Sequence, residues 1–593
     1  MRTRKAKDRT RLMQAALGQI SCDLTIGNVQ FFNVITGEIY PASVDILDGF
    51  VVLVREEGQE AILPSRSYYD GQGRYLIPGY IDTHMHIEST MMIPENLARA
   101  ILPWGTTTVC TDPHEIGNVM GLDGVRFMLE NAKKSKLRQY VLAPSCVPSL
   151  PGMENAGAEF HAEEVGELLD MDDVVGIAEI MDYVGVMHDS ERMHTIIDEG
   201  LRRGMFLQGH APYCSGRELA AYLIGGPVSD HESVNADEVR GKLRAGMHIN
   251  LRASSLIDNL SFLVDGCKDQ PWRDFVSVCT DDVHAKDLLT VGHINNVVRK
   301  AVASGLDGRE VVKMATLNAA REYGFNDLGA IAPGYIADIQ LVDALDGSRP
   351  KAVFTEGVLV AEDGKYLGGD CKTADYDLPN TVNMPQIAGP ESFVLRVPEG
   401  YTGNTIRVNV MVPEDGNRIL RHVEPVELPV RDGAVDIGGD PTLVFVCCAN
   451  RYGRGGKTIA VYRDFGLERG ALASTVSHDS HNFTVSYHDP KDAFRAAEIL
   501  RACGGGVCVI DGAEETHIAL PAAGLMSQKP CAEVADEIAA VQAALDAISG
   551  GRLTLLATAV MALPVLPSVV ITDMGLVNGT NQTFVPVFAD AEA

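Results

Sequence analysis

The residue pair His84 and His86 has the spacing of a metal-binding motif. It follows an apolar run that starts at Ile77 and is broken by Pro78 and Gly79. Because side chains on a strand alternate between its two faces, a strand end with this pair places both imidazoles on one side. A strand can deliver two ligands to one metal ion in this way. The pair alone would be a weak indication, since a polar strand end also carries two such histidines by chance.

Further residues of metal-ligand type lie at or just past the ends of other apolar, strand-like runs. They are Glu179, His210, His231 and Asp281. With the histidine pair they make four imidazoles and two carboxylates, a set that could surround two divalent ions. Such mixed ligands suit manganese, iron or zinc, and the ligand types alone do not distinguish these metals.

The elements that must position these residues are predicted to form a barrel. From residue 75 to residue 326, apolar strand-like runs alternate with amphipathic helical stretches such as 95–102 and 190–203. Alternation of this kind over roughly 250 residues is what a parallel (β/α)8 barrel of the TIM type requires. Barrel enzymes build their active sites at the C-terminal ends of the strands, and every candidate ligand lies at such an end.

The segments on either side of the barrel predict three further units. Residues 1–21 are an N-terminal extension, and residues 22–74 and 327–372 read as short strands and turns that form one small β-sandwich-like subdomain. Residues 385–593 combine strands with amphipathic helices and predict a C-terminal α+β domain. The expected fold class is therefore α/β, with the barrel over residues 75–326.

Charge and composition exclude several classes of partner. The formal net charge of −30 over 593 residues argues against nucleic acid and against an anionic membrane, because both reward clustered Lys and Arg. No stretch approaches the roughly 18 uninterrupted apolar residues of a membrane span. The 12 cysteines are scattered, which favours a reducing cytoplasm over a disulfide framework. A small neutral substrate and water remain as partners, and a homo-oligomer is compatible with the surplus acidity.

Several segments resemble the amidohydrolase superfamily and, within it, the adenine deaminase family. The two most specific motifs are Asp-Pro-His-Glu at residues 112–115 and Ser-His-Asp-Ser-His-Asn at residues 477–482. The others lie at residues 78–89, 178–186 and 520–527. The similarity therefore extends over nearly the whole chain and implies a metal-dependent hydrolase.

The resemblance implies two divalent metal ions per chain, with manganese or iron expected and zinc as a third option. It also divides the candidate ligands into two sets joined by a bridge, where many relatives use a carboxylated lysine. The sets are His84, His86 and Asp281 for one ion, His210 and His231 for the other, and Glu179 as the bridge.

The implied reaction is hydrolytic deamination of adenine to hypoxanthine and ammonia, as in purine salvage. Two ions that share one water supply a hydroxide at neutral pH, and Asp281 would accept its proton, since a carboxylate bound through one oxygen keeps the other free. Glu179 joins the catalytic set as the bridge. Protonation of a ring nitrogen makes C6 electrophilic, and Glu88, His114 and Glu115 are the candidates for it. The motif at residues 112–115 could also be a loop cap.

Two other functions are compatible with the same barrel. One is another amidohydrolase reaction, on a modified aminopurine or a cyclic amide; ring opening without release of ammonia would identify the cyclic amide. The other is a non-catalytic binding protein, although such proteins typically lose metal ligands and all six candidates are present here.

Two features leave alternatives open. The resembled family usually has Arg-Glu-Gly-Ser where this chain has Arg252, Ala253 and two serines, so we expect a carboxylate to be missing from the rim of the site. In the C-terminal domain, His478, Asp479 and His481 could cover the barrel mouth, or they could satisfy each other in a domain interface.

Overall fold

The N-terminal part of the chain is a helix followed by a strand-rich segment. The structure is a computed structural model that describes residues 6–58, 62–255, 258–369, 373–414 and 417–590. The first elements are α1 (Ala6–Ala16), β1 (Cys22–Phe32), β2 (Ile39–Leu47), β3 (Phe50–Glu56), β4 (Ser65–Asp70) and β5 (Tyr75–Pro78).

Eight parallel strands then form a closed barrel. They are β6 (Tyr80–Met85), β7 (Thr106–Thr111), β8 (Arg138–Ala143), β9 (Val174–Ile180), β10 (Phe206–Gly209), β11 (Ser229–Asp230), β12 (His248–Arg252) and β13 (Val276–Cys279). Each strand pairs with the next in chain order within the groups β6 to β10 and β11 to β13. The N–H of Val228 donates to the carbonyl of Leu207 at 3.1 Å and joins the groups, and the N–H of Asp281 donates to the carbonyl of His84 at 2.9 Å and closes the ring. The predicted barrel is therefore confirmed.

Helices cover the outside of the barrel. They are α2 (Pro94–Ile101), α3 (His114–Ala132), α4 (Ala162–Leu169), α5 (Tyr183–Met187), α6 (Glu191–Arg203), α7 (Gly216–Ile224), α8 (Ala236–Arg244), α9 (Leu260–Cys267), α10 (Ala285–Thr290), α11 (Ile294–Ala303), α12 (Gly308–Lys313) and α13 (Ala319–Glu322). Local sequence sets their ends: the Asn235 side chain accepts from two N–H groups at the start of α8, and Gly204 ends α6 with a φ of 62° that favours glycine.

The two segments that flank the barrel in sequence share one nine-stranded sheet. After the barrel come β14 (Ile339–Val342), β15 (Ala352–Thr355), β16 (Val358–Glu362) and β17 (Lys365–Tyr366). The strand order is β17-β16-β15-β14-β5-β1-β2-β3, and β4 pairs with β1. Since β5 lies in this sheet, the first residues of the range expected for the barrel belong to it. The domain limits given above otherwise stay a prediction.

The C-terminal part contains a second nine-stranded sheet with helices packed on it. Its elements are β18 (Thr405–Glu414), β19 (Asn417–Arg431), β20 (Ala434–Val435), β21 (Leu443–Ala449), β22 (Lys457–Arg463), β23 (Ala471–Ser474), β24 (Phe483–Tyr487), α14 (Pro490–Cys503), β25 (Gly506–Asp511), β26 (Glu514–Ala519), α15 (Cys531–Ser549), β27 (Val569–Ile571), β28 (Leu576–Asn578) and β29 (Thr583–Val585). The last three strands form their own sheet, and the other nine have the order β20-β19-β18-β22-β21-β24-β23-β25-β26. The expected α+β character is confirmed.

One apolar cluster joins the C-terminal domain to the barrel. Val534, Val541 and Leu545 of α15 belong to the same buried cluster as Leu97 of α2 and Leu288 of α10. Burial of side chains this large contributes roughly 1.5–3 kcal/mol each, so the contact is a substantial part of the core. The C-terminal domain is thereby fixed against the barrel.

Within the described ranges, the structure contains no helix that is long and apolar enough to cross a membrane.

Candidate active site

The six candidate ligands lie together at the C-terminal end of the barrel. Each is placed by the end of a strand, at β6, β9, β10, β11 and β13. Donor atoms within 4.8 Å of one another make several groups that could hold a metal ion, and these include two that consist of candidate ligands alone and share His231. These two groups are His84, His231 and Asp281, and Glu179, His210 and His231.

Glu179 is the centre of this arrangement. Its Oε2 lies 2.5 Å from Nδ1 of His210 and 3.0 Å from Nε2 of His231, and its Oε1 lies 3.6 Å from Nε2 of His86. Burial alone would raise the pKa of Glu179, but His210 and His231 lower it well below its usual range. A carboxylate that faces histidines on both sides is placed to bridge two cations.

Asp281 faces the histidine pair from the opposite strand. Its Oδ1 lies 3.4 Å from Nε2 of His84 and 3.3 Å from Nε2 of His86. Its Oδ2 accepts a hydrogen bond from Nη1 of Arg252 at 2.8 Å, and Arg252 also donates to Glu232. Oδ2 is therefore turned away from the two histidines and oriented by Arg252, and an oxygen that accepts one hydrogen bond keeps a second lone pair for a proton.

Hydrogen bonds to Nδ1 of His84 and His86 leave Nε2 of each ring available to a metal ion. Nδ1 of His84 faces Oε1 of Gln208 at 2.9 Å, and Nδ1 of His86 faces the carbonyl of Asp112 at 3.1 Å. Both partners are acceptors, so Nδ1 carries a proton, and in the neutral imidazole that a metal ion requires Nε2 keeps its lone pair. Nε2 of His84 is buried without a hydrogen-bond partner among the described residues. Burial lowers the pKa of His231 to about 3, which also keeps that imidazole neutral. This donor set fits divalent cations.

A buried lysine ties together the two loops that carry His210 and His231. Nζ of Lys242, on α8, donates to the carbonyl of Ala211 at 2.7 Å, to Asp230 at 2.8 Å and to Glu238 at 2.6 Å. Asp230 in turn accepts from the N–H of Ala211 at 2.9 Å. Each of the two loops is therefore held by the same ammonium group. The sequence gives no sign of this lysine, which stands among other charged residues of a surface helix.

Three residues of the predicted catalytic set lie at different depths. His114 lines the cavity, and its Nδ1 lies 2.9 Å from Asp112 and 3.5 Å from Oε1 of Glu179. Glu88 and Glu115 are fully buried and, among the described residues that line the cavity, neither is found. Burial raises the pKa of Glu88 to about 8, with a further contribution from Glu115.

The C-terminal domain closes the cavity. The described residues that line it are His86, His114, Glu179, Met181, His210, Glu232, Arg252, Ser254, Asp281, Asp282, His478, Asp479, Val560, Leu563 and Leu566. Asp479 Oδ1 lies 3.5 Å from Nε2 of His114, and His478 Nδ1 lies 3.7 Å from Glu115. Of the two positions left open for this segment, His478 and Asp479 therefore cover the barrel mouth. His481 lies deeper, with Nε2 3.8 Å from Glu115.

Ala253 lies outside the cavity. Side chains of β12 alternate, so Asn250 and Arg252 point into the barrel while Leu251 and Ala253 point into the apolar cluster under the helices. The expectation that Ala253 marks a missing carboxylate at the rim is therefore wrong. Glu232 is among the described residues that line the cavity.

Two family descriptions match the chain. Residues 75–360 match the amidohydrolase family, and residues 418–583 match the adenine deaminase C-terminal domain. Among relatives, the chain is 38% identical to adenine deaminase 2 of Carboxydothermus hydrogenoformans, over 97% of this chain and 99% of the relative. It is 38% identical to the adenine deaminase of Methanothermobacter thermautotrophicus, over 93% and 97%, and 39% identical to adenine deaminase 2 of Rhizobium meliloti, over 90% and 89%.

Proposed function

Since the chain belongs to the adenine deaminase family of the amidohydrolases and hydrolyses adenine to hypoxanthine and ammonia, we propose that it does so at a centre of two divalent metal ions. The observation that carries the proposal is the position of Glu179, whose Oε2 faces His210 and His231 while its Oε1 faces His86. Manganese, iron and zinc all suit these ligands, with manganese or iron preferred.

The residues that would hold the ions divide between the two sides of the bridge. His84, His86 and Asp281 would hold one ion, and His210 and His231 the other. Glu179 supports the bridging role because its two oxygens face different histidines. Gln208 and the carbonyl of Asp112 orient the first pair from behind, as second-layer partners of metal-bound histidines do.

The reaction breaks the bond from C6 to the amino group and forms a bond from C6 to the oxygen of water. When bound, two divalent ions lower the pKa of a water from about 15.7 towards 7. Asp281 would take the proton of this water at Oδ2 and pass it to the departing amine. Arg252 holds that oxygen at 2.8 Å and so orients it.

The purine ring also needs a proton on a nitrogen, which makes C6 more electrophilic. His114 is the best placed donor, because it lines the cavity and Asp112 holds its Nδ1 at 2.9 Å. Glu88 and Glu115 lie behind the cavity wall and would serve as a proton store rather than touch the substrate. A cytoplasmic location and assembly into a homo-oligomer stay predictions.

Ammonia release from adenine, with metal content counted on the same sample, tests this proposal. Protein purified with Mn²⁺ or Fe²⁺ should release ammonia rapidly and contain about two ions per chain. Glu179→Gln is the matched variant, since it keeps the shape of the side chain but removes its charge. We expect it to abolish turnover while the melting temperature of the metal-free protein stays near that of the wild type. Full activity of this variant with two ions would contradict the bridging role, and no release from a doubly loaded wild type would point to a modified aminopurine or a cyclic amide.

A further inference from the structure

Two polar side chains of the C-terminal domain face the cavity with atoms that the protein leaves unused. His478 and Asp479 line the cavity and are 7% and 2% exposed. Among the described residues, Nε2 of His478 and Oδ2 of Asp479 have no hydrogen-bond partner. Buried polar atoms are almost always paired in folded proteins, so such a pair beside a cavity indicates a ligand.

The imidazole ring of His114 lies between Asp479 and Glu179, the proposed bridge between the metal ions. Its Oδ1 is 3.5 Å from Nε2 of His114, whose Nδ1 is 3.5 Å from Oε1 of Glu179. With C6 of a purine at the metal ligands, the edge farthest from C6 carries N3 and N9. In a free base N9 bears a hydrogen, whereas in a nucleoside N9 carries the sugar.

The apolar residues that line the cavity suit a flat aromatic ring. Val560, Leu563 and Leu566 of the C-terminal domain and Met181 of the barrel line the same cavity with apolar side chains. Apolar walls with a few polar atoms at fixed positions are the usual composition of a small-molecule site. The unpartnered polar atoms of His478 and Asp479 belong to side chains that line this same cavity.

We propose that the C-terminal domain supplies a recognition subsite in which Oδ2 of Asp479 accepts a hydrogen bond from N9–H of the purine and Nε2 of His478 donates to N3. The subsite selects free bases over N9-substituted purines. This inference rests on the proposed function, because that function places C6 at the metal ligands. It assigns to the C-terminal domain a direct contact with the substrate.

Binding of hypoxanthine and 9-methylhypoxanthine, measured by calorimetry on the metal-loaded protein, tests the subsite. A site built to hydrogen-bond an N–H rejects the analogue that lacks it, so we expect the wild type to bind hypoxanthine about 10- to 100-fold more tightly. Asp479→Leu keeps the branched shape of the side chain but removes both acceptor oxygens. It should weaken hypoxanthine binding about 10- to 100-fold and leave 9-methylhypoxanthine unchanged, while Asp479→Asn, with one acceptor oxygen, should recover part of the loss.

Asp573→Leu is the matched control. Asp573 accepts hydrogen bonds from Asn155 of the barrel at 3.0 and 2.8 Å, and it is not among the described residues that line the cavity. If the substitution only disturbs the domain interface, both variants should change binding alike; we expect the preference for hypoxanthine to persist in Asp573→Leu.

Three results would overturn the subsite. Equal binding of the two ligands by the wild type would do so without any variant. Asp479→Leu with unchanged hypoxanthine binding would show that the methyl group is rejected by size alone. Equal weakening of both ligands would show that Asp479 acts only through His114. Failure of the proposed function is distinguishable, since calorimetry needs no turnover and ammonia release from adenine is measured separately.

Discussion

Replacement of Lys242 by methionine should loosen the two loops that carry His210 and His231. The side chain of Lys242 is fully buried, and its Nζ contacts Asp230 and Glu238 at 2.8 and 2.6 Å. Methionine keeps most of the volume but leaves two buried carboxylates without their cation. Removal of one partner from a buried ion pair costs about 3–5 kcal/mol, so Lys242→Met should lower the free energy of unfolding by that amount.

The same substitution should also weaken metal binding at the proposed centre. Loss of a partner that orients a ligand typically lowers metal affinity about 10- to 100-fold, and here both imidazoles that we propose for one ion are affected. Competition with a chromophoric chelator should therefore show one of the two ions released from Lys242→Met at a lower chelator concentration than from the wild type. Thermal unfolding of the metal-free proteins measures the loss of stability separately.

Lys268→Met is the control for this experiment. Lys268 pairs with Asp265 at 2.6 Å on the surface, with the lysine side chain 39% exposed. Exposed pairs contribute about 0–1 kcal/mol, so this variant should melt and bind metal like the wild type. Our account of the two loops is refuted if Lys242→Met also retains both ions and unfolds within about 1 kcal/mol of the wild type.

Two further predictions concern buried ionisable groups. Arg252→Gln should lower kcat about 10- to 100-fold with both ions retained, because Asp281 loses the contact at 2.8 Å that orients Oδ2; a wild-type kcat measured by ammonia release would exclude this role. Burial raises the pKa of Glu154 from its ordinary value of 4.5 to about 8, so the folded protein retains a proton that the unfolded chain releases. Stability is therefore fully present below pH 4.5 and is lost as the pH rises towards 8, by up to about 1.4 kcal/mol per pH unit. Glu154→Gln should remove this loss, and parallel melting curves of the two proteins from pH 5 to 8 would contradict it.

The sequence was sufficient for the barrel and for the neighbourhood of the six ligands. Both follow from local rules, since apolar runs that alternate with helices specify the strands and polar residues at strand ends specify where ligands meet. The same rule of alternation would have shown that Ala253 points outward once Arg252 points inward. The expectation was wrong because it was based on the motif alone and not on which face of the strand carries the side chain of Ala253.

Other parts of the site depend on contacts between distant segments. Lys242 looks like any lysine of a surface helix until the loops of Ala211 and Asp230 fold over it. The partnership of Arg252 with Asp281 joins two strands, and the approach of Asp479 to His114 joins two domains. No local pattern carries such information, because each contact is made by residues that are far apart in the chain.

The apolar cluster shared by α2, α10 and α15 has a consequence for synthesis of the chain on the ribosome. All strands of the barrel precede residue 280, whereas α15 ends at Ser549. Chain elongation proceeds at about 5–20 residues per second, so Leu97 and Leu288 remain uncovered for roughly ten seconds or more after the barrel strands are made. During this interval the nascent chain needs protection from aggregation. The same interval leaves the six candidate ligands complete and the barrel mouth uncovered, so the ions that we propose would be able to bind before the last third of the chain covers them.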